Sequence, residues 1–412
     1  MTHRARTPNQ IVAGVAAIAL LAAACNSSTD PGAAATANNT LAATQSVTAD
    51  RDHDGDHDRN QLPRIRHVFV IVLENENFST TFGPSSPATF LNNTLVKGGA
   101  FLTQYYGTGH FSLDNYISMI SGQAPDSATQ QDCGIYSNFV QTGTAAFGQA
   151  VGNGCIYPER VRTIANQLTE AGLTWRSYNE DMGNVPTREA ATCGHVAIGS
   201  VDNTNHALPN DSYADRHNPF VYFHSIIDHR ICRENVVALS RLTRDLRAPS
   251  TTPNVAFITP NTCHDGHDSP CASGEPGGLV SADQFLSTWA PRILDSPAFR
   301  KDGLLLIVTD ESGFTGPQAN TACCNEQSGP NVPLAGQFGP GGGLVGAVAV
   351  SRFIAPGTVS NTPYNHYSML RSIEDYFGLA HLGFAAQPGL VTFGSDIFTR
   401  PAGNPSHGPH TF

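Results

Sequence analysis

The sequence predicts an α/β fold in which a central, largely parallel sheet is flanked by helices and interrupted by loop-rich, cysteine-bearing insertions. Two observations carry this. Short continuous apolar runs recur at 68–73, 254–259, 304–309 and 344–350, the pattern of strands buried on both faces. Segments with apolar residues at helical spacing alternate with them, from 112 onward and at 161–171, 282–299 and 368–377.

In chain order, Arg4 and Arg6 precede an apolar run over 11–24 and small residues leading to Cys25, as in a bacterial secretion signal. Leu21-Ala22-Ala23-Ala24-Cys25 resembles a lipobox, whose cysteine is lipidated, although Ala22 stands where such motifs usually carry Leu. Plain signal-peptidase cleavage is the alternative. Residues 26–62 are poor in large apolar side chains and read as a disordered tether, with the Asp/His run 50–58 as a solvated spacer. The strand 68–73 ends abruptly in Glu74 and Asn75. A glycine-flanked turn then leads to His110 and Ser112, where Leu113, Tyr116, Ile117 and Ile120 begin a helix. A serine there can simply cap the helix; the same helix end also suits an oxyanion or a phosphate.

Residues 122–160 are loop-rich and carry little functional signal. A helix over 161–171 closes at Gly172, and a strand over 174–178 reaches Asn179-Glu180-Asp181. The polar stretch 182–235 holds His195, His206, His217, His224 and His229, read as structural or solvent-exposed. The strand 254–259 runs into Pro260-Asn261 and then Asp265-Gly266-His267-Asp268. The helix 282–299 is followed by Gly303, and the strand 304–309 ends in Asp310-Glu311. A glycine-rich loop, 336–343, leads into the strand 344–350. Asn365-His366 precedes the last helix, which closes at Gly378.

With 412 residues, 40% hydrophobic, 39 Gly and 27 Pro, the chain is long enough for a full core and rich in loops. Its net charge of −11 argues against a nucleic-acid partner, without excluding an anionic substrate whose site holds a metal. Setting Cys25 aside leaves eight cysteines, as expected for disulfides in an exported protein. The simplest pairs are 133–155, 193–232 and 263–271. Adjacent Cys323 and Cys324 are expected to reach separate partners more easily than each other, which leaves their connectivity open.

Three strand ends carry acids, amides or histidines. In α/β sheets ligands bind outside the carboxyl ends of strands, so these ends form one candidate site. Clustered carboxylates repel unless protonated or bridged by a cation. Glu74, Asp310 and Glu311 offer hard oxygens for Mg²⁺, Ca²⁺ or Mn²⁺, whereas Asp265, His267 and His366 also suit Zn²⁺.

The motifs, in order, resemble those of the phosphoesterase family that includes secreted acid phosphatases and phosphatidylcholine-type phospholipases C, within the alkaline-phosphatase-like superfamily. Leu73-Glu74-Asn75-Glu76-Asn77-Phe78, His110-Phe111-Ser112-Leu113-Asp114-Asn115-Tyr116, Pro260-Asn261 through Asp268, Thr309-Asp310-Glu311 and Asn365-His366 through Glu374 match its successive motifs over about 65–380. The resemblance implies an alkaline-phosphatase-like catalytic domain over 63–400, followed by a tail, 401–412. It implies Ser112 as a nucleophile forming a phosphoserine and Asn115 as a ligand of a phosphoryl oxygen. Glu74, Asn75, Asp310 and Glu311 would hold a divalent metal. His267 and His366, with Asp265, would hold a second metal or contact phosphate and protonate the leaving group, and His110 is a candidate phosphate contact. Phe111 and Asp114 replace residues that are often proline in relatives, and the Asp310-Glu311 pair favours one oxygen-rich metal site.

The expected function is metal-dependent hydrolysis of phosphate monoesters by an exported protein, either lipid-anchored through Cys25 in the cell envelope or secreted. The substrate is a small phosphoester or a phospholipid head group. The alternatives are a phospholipase C-type phosphodiesterase and, from another class, a non-catalytic ligand-binding surface lipoprotein. A sulfatase is less well supported, because Ser112 lacks the Cys/Ser-x-Pro-x-Arg context.

Overall fold

The computed structural model describes residues 62–400; the expected leader, Cys25, the tether up to residue 61 and the tail from 401 lie outside the described residues. Eight strands form the central sheet: β1 His67–Leu73, β2 Ala100–Leu102, β3 Trp175–Asn179, β4 Val236–Ala238, β5 Val255–Thr259, β6 Gly303–Thr309, β7 Ala347–Ser351 and β8 Thr358–Ser360. Their spatial order is β8-β2-β7-β6-β1-β5-β3-β4. All pairings are parallel except those of β7 with β2 and β6. The strand β4, three residues long and directly after the polar stretch, is too short to leave a periodic signal.

β1 shows why the apolar runs are continuous. Val68, Val70 and Val72 enter one core with Leu113, Tyr116 and Ile117 of helix α1 (Ser112–Ser121), Leu168 of α2 (Ile164–Glu170) and residues of a C-terminal helix. Phe69, Ile71 and Leu73 face the opposite core, with Leu279, Phe285 and Leu286 of α3 (Gly278–Leu294). Each fully buried apolar side chain contributes about 1.5–3 kcal/mol, so both faces must be apolar for the strand to sit centrally.

The helix expected over 282–299 is two helices. α3 starts earlier, at Gly278, and α4 (Pro297–Asp302) is separately capped by Ser296, whose hydroxyl accepts a bond from Phe299 N at 3.2 Å. Pro297 has no N–H to continue the first helix and a φ suited to starting the second. The strand expected from 344 begins at Ala347, because Val345 N and Gly346 N bond to Tyr105 O instead. The last helix, α5 (His366–Phe377), opens with the Asn365 side chain accepting from Ser368 N at 2.9 Å.

Disulfides Cys133–Cys155, Cys193–Cys232 and Cys263–Cys271 join the expected partners. The expectation for the remaining two cysteines is overturned: Cys323 and Cys324 pair with each other. Their loop is held in place, with Asn365 Nδ2 donating to Glu326 Oε1 at 2.8 Å, and left-handed backbone at Cys324 and Asn325 turns the chain there. Local backbone geometry, which residue spacing cannot report, allows the pairing.

Glu374 of α5 is buried. Leu382 N donates to its Oε1 at 2.9 Å, and its Oε2 has no partner. Burial raises its pKa from 4.5 to about 9. Because the folded value is the higher one, the stability tied to its proton is complete below about pH 4.5, declines as pH rises and is lost above about pH 9. Glu374→Gln, which cannot ionise, is expected to raise the melting temperature at pH 8 by roughly 2 °C or more and to leave it unchanged at pH 4.5. Thermal unfolding at the two pH values checks this; equal shifts at both would contradict it.

Candidate active site

The carboxyl ends of β6, β1 and β5 lie side by side, and backbone bonds tie together the segments that follow them. Asp310 N donates to Leu73 O at 2.9 Å, and Glu74 N to Asp265 O at 2.9 Å. This places Asp310-Glu311, Glu74-Asn75 and the Asp265 turn along one edge. Asn75 has a φ of 54°, which aims its N–H at Asp310 Oδ1, 3.1 Å away. The segment leading to α1 crosses the same edge. A Cβ on Gly107 would stand 2.6 Å from Asp310 O, so only glycine fits.

Ser112 is the first residue of α1, not its cap; the cap position is Phe111. Its hydroxyl donates to Glu74 Oε2 at 2.8 Å. The helix end is served by Asp132, whose Oδ1 accepts from Leu113 N at 3.0 Å. Ser112 is therefore free of the capping role and joined to the carboxylate group.

Glu74, Asp265, Asp310 and Glu311 are all fully buried. Burial first, and neighbouring carboxylates second, push each of their pKa values well above the ordinary range. Several of their atoms lack hydrogen-bond partners: Glu74 Oε1, Asp310 Oδ2 and Glu311 Oε1, together with Asn75 Oδ1. Buried polar atoms are rarely left so. A divalent cation would satisfy them and neutralise the repulsion, so this donor set fits one.

Three residues outside the expected set complete the cluster. His217 Nδ1 lies 3.1 Å from Asp265 Oδ2, which leaves Nε2 facing Glu74 Oε1 at 3.4 Å without a hydrogen bond. Burial, then Arg216 and His267, hold its pKa well below the usual value, so it is a neutral imidazole, the ligating form. Donor atoms of Glu74, His217 and Asp265 lie within 4.8 Å of one another, a second set able to hold a metal. Tyr116 stacks on the His217 ring at 5.3 Å and fixes its plane. Arg216 is buried; its Nε is 3.8 Å from Asp132 Oδ2, and its Nη2 is 3.3 Å from His267 Nε2. Burial opposes its charge, while Asp132, Glu74 and Asp265 hold it. The trace of these residues in the sequence is the polar tetrad Asp215-Arg216-His217-Asn218 set between buried Tyr213 and Phe220-Val221-Tyr222-Phe223.

Four of the expected site residues are placed differently from expectation. Asn115 does not face open space: its Oδ1 accepts from Thr108 N, Thr108 Oγ1 and Gly109 N at 2.8, 3.1 and 3.0 Å, and its Nδ2 donates to Gly109 O and Phe111 O at 2.9 and 3.1 Å. It shapes the loop that delivers Ser112. His110 is buried, with Nε2 donating to Ala319 O at 2.9 Å and Nδ1 against Glu311 Oε2, a contact that requires a proton on one of the two groups. Glu311 is thereby engaged with His110. His366 donates from Nε2 to Asp310 O at 2.5 Å and accepts from Tyr105 OH at 3.0 Å, so it clamps α5 to the strand end. Burial lowers its pKa to about 4. His267, by contrast, is exposed at the rim, with Nδ1 2.8 Å from Asp268 Oδ1. Beside Ser112, Phe314 packs on Phe111 and His110 at 5.1 Å each and on the exposed Phe338 at 6.1 Å, an aromatic flank assembled from three separate segments.

The profile of the Phosphoesterase family matches residues 85–380. A phosphate-repressible acid phosphatase of Penicillium chrysogenum is 28% identical over 315 residues, which are 76% of this chain and 59% of that protein. A phosphatidylinositol-3-phosphatase of Mycobacterium tuberculosis is 24% identical over 331 residues, 80% of this chain and 83% of that one. The chain thus spans about 59% of the length of the fungal relative. Among solved structures, a protein in the alkaline phosphatase superfamily from Vibrio parahaemolyticus aligns with a TM-score of 0.41 and 13% identity, covering 80% of this chain and 71% of that chain.

Asn115→Leu, which leaves two backbone N–H groups buried without an acceptor, is expected to lower the unfolding free energy by roughly 2–4 kcal/mol. Urea denaturation measures this, and wild-type stability in the variant would show that the loop does not depend on Asn115.

Proposed function

The chain belongs to the Phosphoesterase family, and from that premise we propose that it hydrolyses phosphate monoesters in a metal-dependent reaction that passes through a phosphorylated Ser112. The observation that carries this reading is the 2.8 Å bond from the Ser112 hydroxyl to Glu74, a carboxylate that belongs to both candidate cation sets. Glu74, Asn75 and Asp310 would hold one divalent ion, and Glu74, His217 and Asp265 offer a second, nitrogen-containing position. When bound, such an ion lowers the pKa of a nearby hydroxyl and neutralises charge on a phosphoryl group.

Ser112 Oγ attacks phosphorus, and the P–O bond to the alcohol breaks on the opposite side. The hydroxyl proton passes to Glu74, which already accepts it in a hydrogen bond. His267, at the rim with its Nδ1 on Asp268, would protonate the departing alkoxide from Nε2 once the phosphoryl group draws Arg216 away from that nitrogen. Water then attacks the phosphoserine, giving a proton to His267, and Ser112 recovers its own proton from Glu74 as phosphate leaves. Arg216 supplies fixed positive charge beside His267 for the non-bridging oxygens. Phe111, Phe314 and Phe338 flank the side on which an organic alcohol would sit. The four disulfides suit an oxidising compartment and an exported protein.

Ser112→Ala is expected to reduce kcat/KM on p-nitrophenyl phosphate by roughly 10³-fold or more, with the fold retained by circular dichroism. Full activity in this variant would defeat the proposed nucleophile, and the absence of activity from both proteins would favour a non-catalytic binding role. A higher kcat/KM on p-nitrophenylphosphorylcholine than on p-nitrophenyl phosphate would overturn the monoesterase assignment in favour of a phosphodiesterase.

Metal analysis tests the second element of the proposal. Purified wild-type protein is expected to carry bound divalent metal and to lose activity in EDTA, and His217→Ala is expected to retain less metal per chain. Full activity in metal-free protein would contradict the metal role. Unchanged metal content in the His217 variant would remove that histidine from the ligand set.

A further inference from the structure

A second concave site lies apart from the Ser112 cluster and shares no residue with it. It is a surface cavity of about 950 Å³ lined by residues 145–147, 149, 324, 325, 327–330, 384 and 387–389, within the size range of small-molecule sites. Its lining contains no Asp, Glu, Lys, Arg or His. A phosphate or carboxylate would find no cation there, and a cationic ligand no carboxylate.

The lining offers two kinds of group. Phe147 and Phe384, edge to face at 6.0 Å, and Cys324 of the Cys323–Cys324 disulfide supply apolar surface. Asn325, Gln327 and Gln387 supply neutral amides, each with both donors and acceptors. Gln387 is only 9% exposed, and its Nε2 is buried with no hydrogen-bond partner in the protein. Such a donor is unfavourable unless something else accepts from it.

The cavity is also held in shape. Gln149 on its floor accepts from Ala124 N at 2.7 Å and donates to Gly122 O at 2.8 Å. The disulfide between consecutive residues and the Glu326–Asn365 bond fix the opposite wall. A preformed site loses little entropy on binding.

We propose that this cavity binds a neutral polyhydroxylated ring, a hexose residue or a cyclitol. Such a ring has apolar C–H faces that can lie on Phe147, Phe384 and the disulfide. Its hydroxyls are both donors and acceptors, matching the amides of Asn325, Gln327 and Gln387.

Isothermal titration of the full-length, disulfide-intact protein tests this with methyl α-D-glucopyranoside, methyl α-D-mannopyranoside, methyl β-D-galactopyranoside, N-acetylglucosamine and myo-inositol, with inorganic phosphate as a control. At least one neutral ring is expected to bind. Gln387→Leu, close in size and lacking the amide, should weaken that binding at least about tenfold. Phe147 is 41% exposed with a φ of 58°, so Phe147→Asn, a residue that tolerates this backbone, removes the ring without disturbing the core and should also weaken binding several-fold. Ser112→Ala should leave binding unchanged. The proposal is overturned if no neutral ring binds at 50 mM (about 50 times a weak, ~1 mM affinity), if both cavity variants retain wild-type affinity, or if Ser112→Ala abolishes binding. The last result would place the ligand at Ser112 instead.

Discussion

The structure depends on one electrostatic constraint: four carboxylates, Glu74, Asp265, Asp310 and Glu311, are fully buried along a single sheet edge. Burying even one such charge without compensation is costly, and like charges at close range add to the cost. The fold answers with several opposing groups. Arg216 brings a buried positive charge, Asn75 N donates to Asp310, and His217 and His110 bring ring nitrogens against Asp265 and Glu311. Among the atoms still lacking partners, Glu74 Oε1, Asp310 Oδ2 and His217 Nε2 fit a cation. The Ser112 hydroxyl is drawn into the same cluster by its bond to Glu74.

The cluster is also the mechanical centre of the fold. β1, β5 and β6 set its base through backbone bonds between the segments at their ends. α1 is held over it by three attachments: the Asn115 bonds to the loop 108–111, Asp132 on Leu113 N, and the buried apolar face of Leu113, Tyr116 and Ile117. Asp132 lies 3.8 Å from Arg216 as well, so the residue that serves the helix end also faces the buried cation. α5 is tied in through His366 on the Asp310 carbonyl. Asn115, His110 and His366, expected to meet a phosphate, bond to groups of the protein itself.

Much of this was readable in the sequence, for a definite reason. A strand buried on both faces must be apolar throughout, so β1, β5 and β6 stand out, and their polar ends stand out against them. Glu74, Asp265, Asp310 and the start of α1 at Ser112 were placed by that contrast. The break between α3 and α4 at Pro297 was not read, because the apolar period runs on across it, and Asp132 gave no signal at all. Its role rests on a left-handed turn at residue 132 and on contact with Leu113, which is nineteen residues away and on another element.

The sequence by itself determined the α/β class, the strand ends that bear the acids, the serine at the helix start and three of the four disulfides. These follow from periodicity, burial and short-range spacing, which are properties of neighbouring residues. The tertiary structure decided that Arg216 and His217 enter the cluster, that Asn115 and His366 are held by backbone groups, and that Cys323 pairs with Cys324. A side chain's function depends on which groups from distant segments are left to meet it. His217 looked like any other polar-loop histidine until the fold placed Glu74 and Asp265 on either side of its ring.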